Sequence, residues 1–266
     1  MQKQIHAKRY VYQANAIGVA GQIVHPFQDI IPVQASSALP AEGGFGSARA
    51  VDFRHKEVLS FGSAHSQVIG SQVHPGVREA LSLSVVEKFN LLDVVTCDRM
   101  VARLTLKFTE GEEGSEPYIV PIGSRFEKLR IGNIFFENLE LAPDYFCQPE
   151  RACWSGLLNA VSTKPDRDLL EALSLPDEDG NPVPLPAEGR RPTVLGFCLA
   201  LSEPEPEAEL GAPLRFYLPQ FGTVYLGEYF CYPTARSLTM LRVDLGCPVQ
   251  GNASAAQGRV GGEPYP

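Results

Sequence analysis

No run of about eighteen apolar residues occurs in the chain, so no membrane-spanning helix is expected. The opening Met1-Gln-Lys-Gln-Ile-His-Ala-Lys-Arg-Tyr10 is not followed by an apolar core, so it does not read as a secretory signal. Cys-x-x-Cys is absent, which removes the usual framework of a structural zinc site. Gly-x-Ser-x-Gly, a P-loop and a Gly-x-Gly-x-x-Gly placed after a strand are also missing, and with them the commonest hydrolase and nucleotide-binding signatures. Gly43-Gly-Phe-Gly46 lacks the following helix that would hold a phosphate. Positive charge is short: 23 Lys and Arg against 31 Asp and Glu give 23 − 31 = −8, which argues against nucleic acid as a partner. No fixed-period repeat and no strand–helix alternation is present, so propellers, solenoids and parallel βαβ sheets lack their signatures.

What is present is an ordinary globular composition: 266 residues, 44% hydrophobic and 20% charged, enough to bury a large core. The six cysteines, Cys97, Cys147, Cys153, Cys198, Cys231 and Cys247, fall mostly in apolar runs and read as reduced, buried thiols. Together with the missing signal, this points to a cytoplasmic protein.

The chain is organised around residues 77–131. Two alternating ribbons, Val77–Phe89 and Asp98–Phe108, flank a compact link, Asn90 to Thr96. Period-2 spacing puts Leu81, Leu83, Val85 and Phe89 on one face of the first ribbon and Ser82, Ser84 and Lys88 on the other. In the second, Met100, Ala102, Leu104, Leu106 and Phe108 share a face opposite Arg99, Arg103, Thr105 and Lys107. The ribbons are expected to be neighbouring strands with Leu83 and Leu104 in the core. Ile131-Gly132-Asn133-Ile134 places Gly-Asn between apolar runs and predicts a hairpin turn. The pattern Asn90-Leu-Leu-Asp-Val-Val-Thr-Cys-Asp-Arg-Met-Val-Ala102 with Gly123-Ser-Arg-Phe-Glu-Lys-Leu-Arg-Ile-Gly132 resembles bacterial all-β domains of uncharacterised function, of the choice-of-anchor type. The resemblance implies an all-β fold and a place at the cell surface, against the cytoplasmic reading. It brings no functional residue with it.

Elsewhere, strands are expected over Tyr10–Ile23, Ile30–Gln34 (Pro32 confining it to an edge or a strand start), Phe45–Phe53, Val58–Ser71, Tyr118–Ile122 and Ile134–Leu141, and in four runs after Thr193. Residues 143–154 read as irregular, and the one clear helix is Pro165–Leu173. The whole is read as all-β, an antiparallel sandwich or barrel with one short helix and Pro-rich loops. It is taken as a single domain over residues 1–250, with surface loops at 176–192 and 203–213, and residues 251–266, rich in Gly, Ala and Ser, form a flexible tail.

Candidate chemistry is thin. His55, His65 and His74 lie on or beside adjacent strands and offer a facial metal site, with Asp52 as a fourth ligand. Glu87, Asp93, Asp98 and Asp52, near Arg99 and Arg103, are the acid/base candidates, although Asp93 and Asp98 also suit a turn. Cys97 is the candidate nucleophile, but its apolar neighbours suggest an inert thiol. Phe221, Tyr225 and Tyr229 form an aromatic row that would stack on a sugar or a subunit, or else fill the core. No cofactor is expected. The leading functional reading is a non-catalytic β-protein acting by self-association or as a subunit of an assembly. The alternatives are a carbohydrate or small-molecule binding module and a metal-assisted hydrolase.

Overall fold

The computed structural model describes residues 9–111, 115–141, 143–163, 166–175, 183–186, 192–199 and 215–265. Both ends of the chain build one sheet and its middle builds the other. The first sheet holds β1 (Arg9–His25), β2 (Asp29–Ala38), β10 (Leu195–Cys198), β11 (Arg215–Leu218), β12 (Gly222–Cys231), β13 (Ala235–Leu245) and β14 (Gln250–Tyr265). The second holds β3 (Gly44–His55), β4 (Leu59–His74), β5 (Val77–Leu91), β6 (Val95–Thr109), β7 (Tyr118–Val120), β8 (Arg125–Ile131) and β9 (Ile134–Glu140).

Strand orders are β10-β12-β13-β14-β1-β2 and β3-β4-β5-β6-β8-β9, with β11 and β7 attached to β12 and β6. Every neighbouring pair is antiparallel. The sheets stack face to face, β1 over β4 and β5, and β14 over β5 and β6, so the fold is an open sandwich and not a barrel. Pro32 sits in β2, the edge strand of the first sheet, where its missing N–H leaves no ladder bond unmade. Gly132, with φ +57, turns the predicted hairpin between Ile131 and Ile134.

The sheets approach closely because the residues between them are small. Ala14, Ala16, Ala64, Ser66, Ser82, Ser84, Ala102, Ala253 and Ala255 are all buried. Ser82 Oγ donates to the Asn15 carbonyl at 2.6 Å and Ser84 Oγ to that of Ile17 at 2.8 Å, two hydrogen bonds from sheet to sheet. A Cβ on Gly258 of β14 would stand 2.9 Å from Ser82 Oγ. This corrects the register expected for β5: Ser82 and Ser84 face inward, while Leu81, Leu83 and Val85 face outward and are half-buried. The expectation for β6 holds, and Leu104 is completely buried.

A second reason for the error lies in Lys88, which has φ +54 within the strand. Pairing skips from Glu87↔Arg99 to Phe89↔Cys97, and the inward set changes phase from Ser82, Ser84 and Val86 to Phe89 and Leu91. The same step crosses the whole second sheet through Asp52, Gly62, Lys88, Asp98, Lys128 and Glu137. A matching row crosses the first sheet through Ala35, Gly18, Ala256, Met240 and Gly227. Asp52, Lys128, Ala35, Ala256 and Gly227 share the positive φ. Left-handed residues inside strands cost energy individually and persist only where the surroundings over-determine them; here each is fixed by its neighbour in the row.

Two other expectations are corrected. Residues 251–265 are no tail: they form β14, paired with β13 and β1 in the middle of the first sheet, and their small side chains are what the narrow inter-sheet space admits. Residues 143–154, expected to be irregular, carry α1 (Pro143–Phe146), α2 (Pro149–Ala152) and the start of α3 (Trp154–Ser162), ahead of the anticipated helix, α4 (Asp166–Leu173). Phe146 packs on Phe197 and Tyr229 and so fixes this helical layer to β10 and β12. Of the loop at 176–192, Leu185 is buried and Arg167 donates to the carbonyls of Leu185 and Pro186. The rest of that loop beyond 183–186 and 192, and the loop at 203–213, lie outside the described residues.

Leu104→Ala should cost about 2–5 kcal/mol in urea unfolding, and Ser84→Leu, which overfills the gap, about 1–3 kcal/mol. Leu83→Ser on the outer face should cost less than either. A larger loss from Leu83→Ser than from Ser84→Leu would restore the opposite register.

Candidate functional site

The structure disperses most of the residues singled out by sequence. His65 and His74 are nine positions apart along β4, about 30 Å at a strand's rise per residue. His55 pairs at the other end with Leu59, and its Nε2 lies 3.1 Å from Asp29 Oδ2, a carboxylate also held by Lys56 Nζ at 2.7 Å. The three histidines therefore share no centre, and no group of three or more potential ligands occurs among the described residues. Asp52 is exposed on the kink row.

The acids are engaged structurally. Asp93 sits in the β5–β6 turn, where its N–H donates to Asn90 Oδ1 at 2.9 Å and its carboxylate accepts from Asn90 Nδ2 at 2.6 Å. Asp98 pairs with Lys128 at 3.3 Å. Glu87 accepts from Ser63 Oγ at 2.7 Å and lies 3.8 Å from Arg99, which also faces Glu127. Arg103 stands free of this network on the outer face of β6, its backbone N–H bonded to Ser124 Oγ.

The aromatic row is not a platform. Phe221 and Tyr229 are buried in the core. Gly227, with φ +65, breaks the alternation between Tyr225 and Tyr229, so the two rings do not share a face. The Tyr225 ring is covered by the Arg242 guanidinium at 3.8 Å, itself held by Glu228 through two bonds of 2.9 Å.

What the sandwich does present is an apolar stripe on the outer face of the second sheet. Register places Phe45, Ile69, Leu81, Thr105 and Val120 in one row across β3, β4, β5, β6 and β7. Leu83 lies in the next row, with Val85 and Val101 beyond it. Phe45 is 61% exposed and Val51, on the same edge strand, 54%. A groove of about 470 Å³ runs beside the stripe between Leu81 and Val120, with Arg103 and Lys107 on its wall. On the other side the stripe ends at the Glu87, Arg99, Glu127 and Arg125 network. Alternation marks Leu81, Leu83 and Val85 as an apolar face, which the structure turns outward. The signal that points to the correct facing is the small-residue content of β1 and β14, which leaves room opposite the middle of β5 for side chains as small as serine.

The cysteines form no disulfide among the described residues. Burial pushes the Cys97 thiol up to about 12, although its Sγ contacts the carbonyls of Arg99 and Glu127, and burial pushes Cys231 up to about 11. Neither forms thiolate near neutrality. With a disulfide-exchange reagent at pH 8, exposed Cys247 should react rapidly in the native protein, and Cys97 and Cys231 only on unfolding. Fast native labelling of Cys97, located by peptide mapping, would return it to the list of nucleophiles.

No curated protein and no solved structure matches the chain. One family model, described as a domain of unknown function (DUF8256), matches residues 10–167, from the start of β1 through the entire second sheet to α4. That span is more than half of the 266 residues, and the chain belongs to the DUF8256 family.

Proposed function

We propose that the protein acts without catalysis, by self-association through the outer face and β3 edge of the second sheet. The observation that carries this reading is the row Phe45–Ile69–Leu81, which begins at an edge strand with a 61% exposed phenylalanine and continues as a half-buried stripe across three strands. Apolar area of this continuity is costly to leave in water, and contiguous patches on soluble proteins generally mark contacts. The edge adds a second driving force, since no described strand pairs with the far side of β3 and its backbone groups are available to another chain. Charged residues frame the stripe, as a polar rim frames an interface core.

Light scattering over a concentration series should show a dimer or larger species that Phe45→Glu and Leu83→Glu both shift toward monomer. Phe45→Glu, at an exposed position, should leave stability within about 0.5 kcal/mol. A wild-type protein that stays monomeric at the highest concentration tested would end the proposal.

A further inference from the structure

At the end of the sandwich where β1 and β5 begin, the space between the sheets opens into a cleft of about 570 Å³. Its walls include Tyr10, Tyr12 and Arg78, with Gln72 and Tyr265 around the mouth. Tyr10 is 7% exposed and Tyr12 5%. The rings are in edge contact, centroids 4.9 Å apart, and Phe108 backs Tyr10 at the same distance. The Arg78 guanidinium lies 5.9 Å from the Tyr10 ring.

Three buried polar atoms of this wall are unserved. The Tyr10 hydroxyl, the Tyr12 hydroxyl and Arg78 Nη1 are buried and have no hydrogen-bond partner among the described residues. Among the described residues no carboxylate lies within ion-pair distance of Arg78. Buried polar groups are nearly always bonded, so three orphaned donors around one cleft require an explanation. Burial raises the pKa of both phenols, with the charge of Arg78 opposing, so both keep their protons at neutral pH and remain donors.

The missing partner must therefore supply acceptors and negative charge. It must also present a flat or apolar body to the Tyr10 and Tyr12 rings, which form one part of the wall beside Val11 and Ala41. The charge around the cleft is mixed: Arg9 and Glu42 line it together with Arg78, and the Glu263 charge bears on Tyr10, so the two cations are offset by two carboxylates and a monoanion is favoured over a dianion such as phosphate. The backbone is shaped to admit the rings, since a Cβ on Gly262 would stand 2.5 Å from the Tyr10 hydroxyl and one on Gly70 would stand 3.0 Å from Tyr12 Cδ1.

We propose that this cleft is a binding site for a small organic monocarboxylate, its carboxylate held by Arg78 and the Tyr10 and Tyr12 hydroxyls and its body lying against the tyrosine rings. The site is separate from the association face, so Phe45→Glu should not affect it.

Calorimetric titration of the full chain with benzoate, benzamide and inorganic phosphate tests the assignment. Benzoate should bind saturably, and the neutral benzamide at least about tenfold more weakly, as expected when a charge-assisted bond is lost. Arg78→Gln should weaken benzoate about tenfold or more, and Tyr12→Phe by several-fold. Without ligand, Tyr12→Phe should leave the melting temperature unchanged or raised, because it deletes an unpaired hydroxyl; a purely structural tyrosine would lose stability. The proposal falls if benzoate shows no saturation up to about 20 mM, if phosphate binds more tightly than benzoate, or if benzoate binding is indifferent to both substitutions. Should Arg78→Gln fail to fold, the Tyr12→Phe titration and the benzamide comparison decide alone.

Discussion

The narrow gap between the sheets governs the rest of the structure. Ser82 and Ser84 reach across it to the carbonyls of Asn15 and Ile17, and such bonds form only where two backbones approach more closely than leucine or valine permits. Each hydroxyl is thereby satisfied in the core, which removes the penalty of burying it. The requirement propagates outward. β1 must offer Ala14, Ala16 and Gly18, β14 must offer Ala253, Ala255 and Gly258, and the bulky apolar residues of β5 are displaced to the outer face. The exposed stripe is thus a consequence of the tight core, because a strand of fixed alternation that places serine inside places leucine outside.

The two kink rows make this gap compatible with a conventional core nearby. Beyond Lys88, Asp98 and Lys128 the inward residues become Phe89, Leu91, Val95, Cys97, Leu129 and Ile131, mostly large and fully buried. One half of the sandwich is therefore narrow and lined with small residues, and another is filled in the usual way. A change of phase in one strand alone would strand a ladder of unpaired groups. Because the step occurs in every neighbour along the row, the hydrogen-bonded register resumes on both sides.

How much of this could be read from the sequence follows from the same constraint. Strand identity was legible wherever alternation and turn chemistry agreed, as in β6, at Pro32 and at Gly132-Asn133. Facing was not legible in β5, because alternation says only that two faces differ and cannot say which one meets a narrow gap. β14 was missed because small residues that serve close packing have the composition of a flexible tail. The expected aromatic row does not form, since the positive φ of Gly227 shifts the alternation by one residue and puts Tyr229 in the core while Tyr225 stays out. The histidine site assumed that adjacent strands mean adjacent residues, whereas His55, His65 and His74 are strung along the length of β3 and β4.

Arg78 and Arg236 show why the end cleft is unlike other polar features of the core. Arg236 is 1% exposed and lies near the Trp154 ring at 5.9 Å, again with no carboxylate beside it among the described residues. A buried guanidinium without a counter-ion is costly, and Arg236 offsets part of that cost through its Nη1, which donates to the Tyr232 and Ala235 carbonyls. Those carbonyls belong to the turn joining β12 and β13, where Tyr232 N–H already bonds to Ala235 at 2.9 Å, so Arg236 serves as a clamp on that turn. Arg78 has no such clamp. It faces the inter-sheet space in phase with Ser82 and Ser84, at the end of β5 where the serine contacts have ceased and two tyrosines flank the opening. The strand whose Ser82 and Ser84 bond across to the opposite sheet begins with a cation whose buried Nη1 has no hydrogen-bond partner among the described residues, and there the tight packing gives way to a cleft.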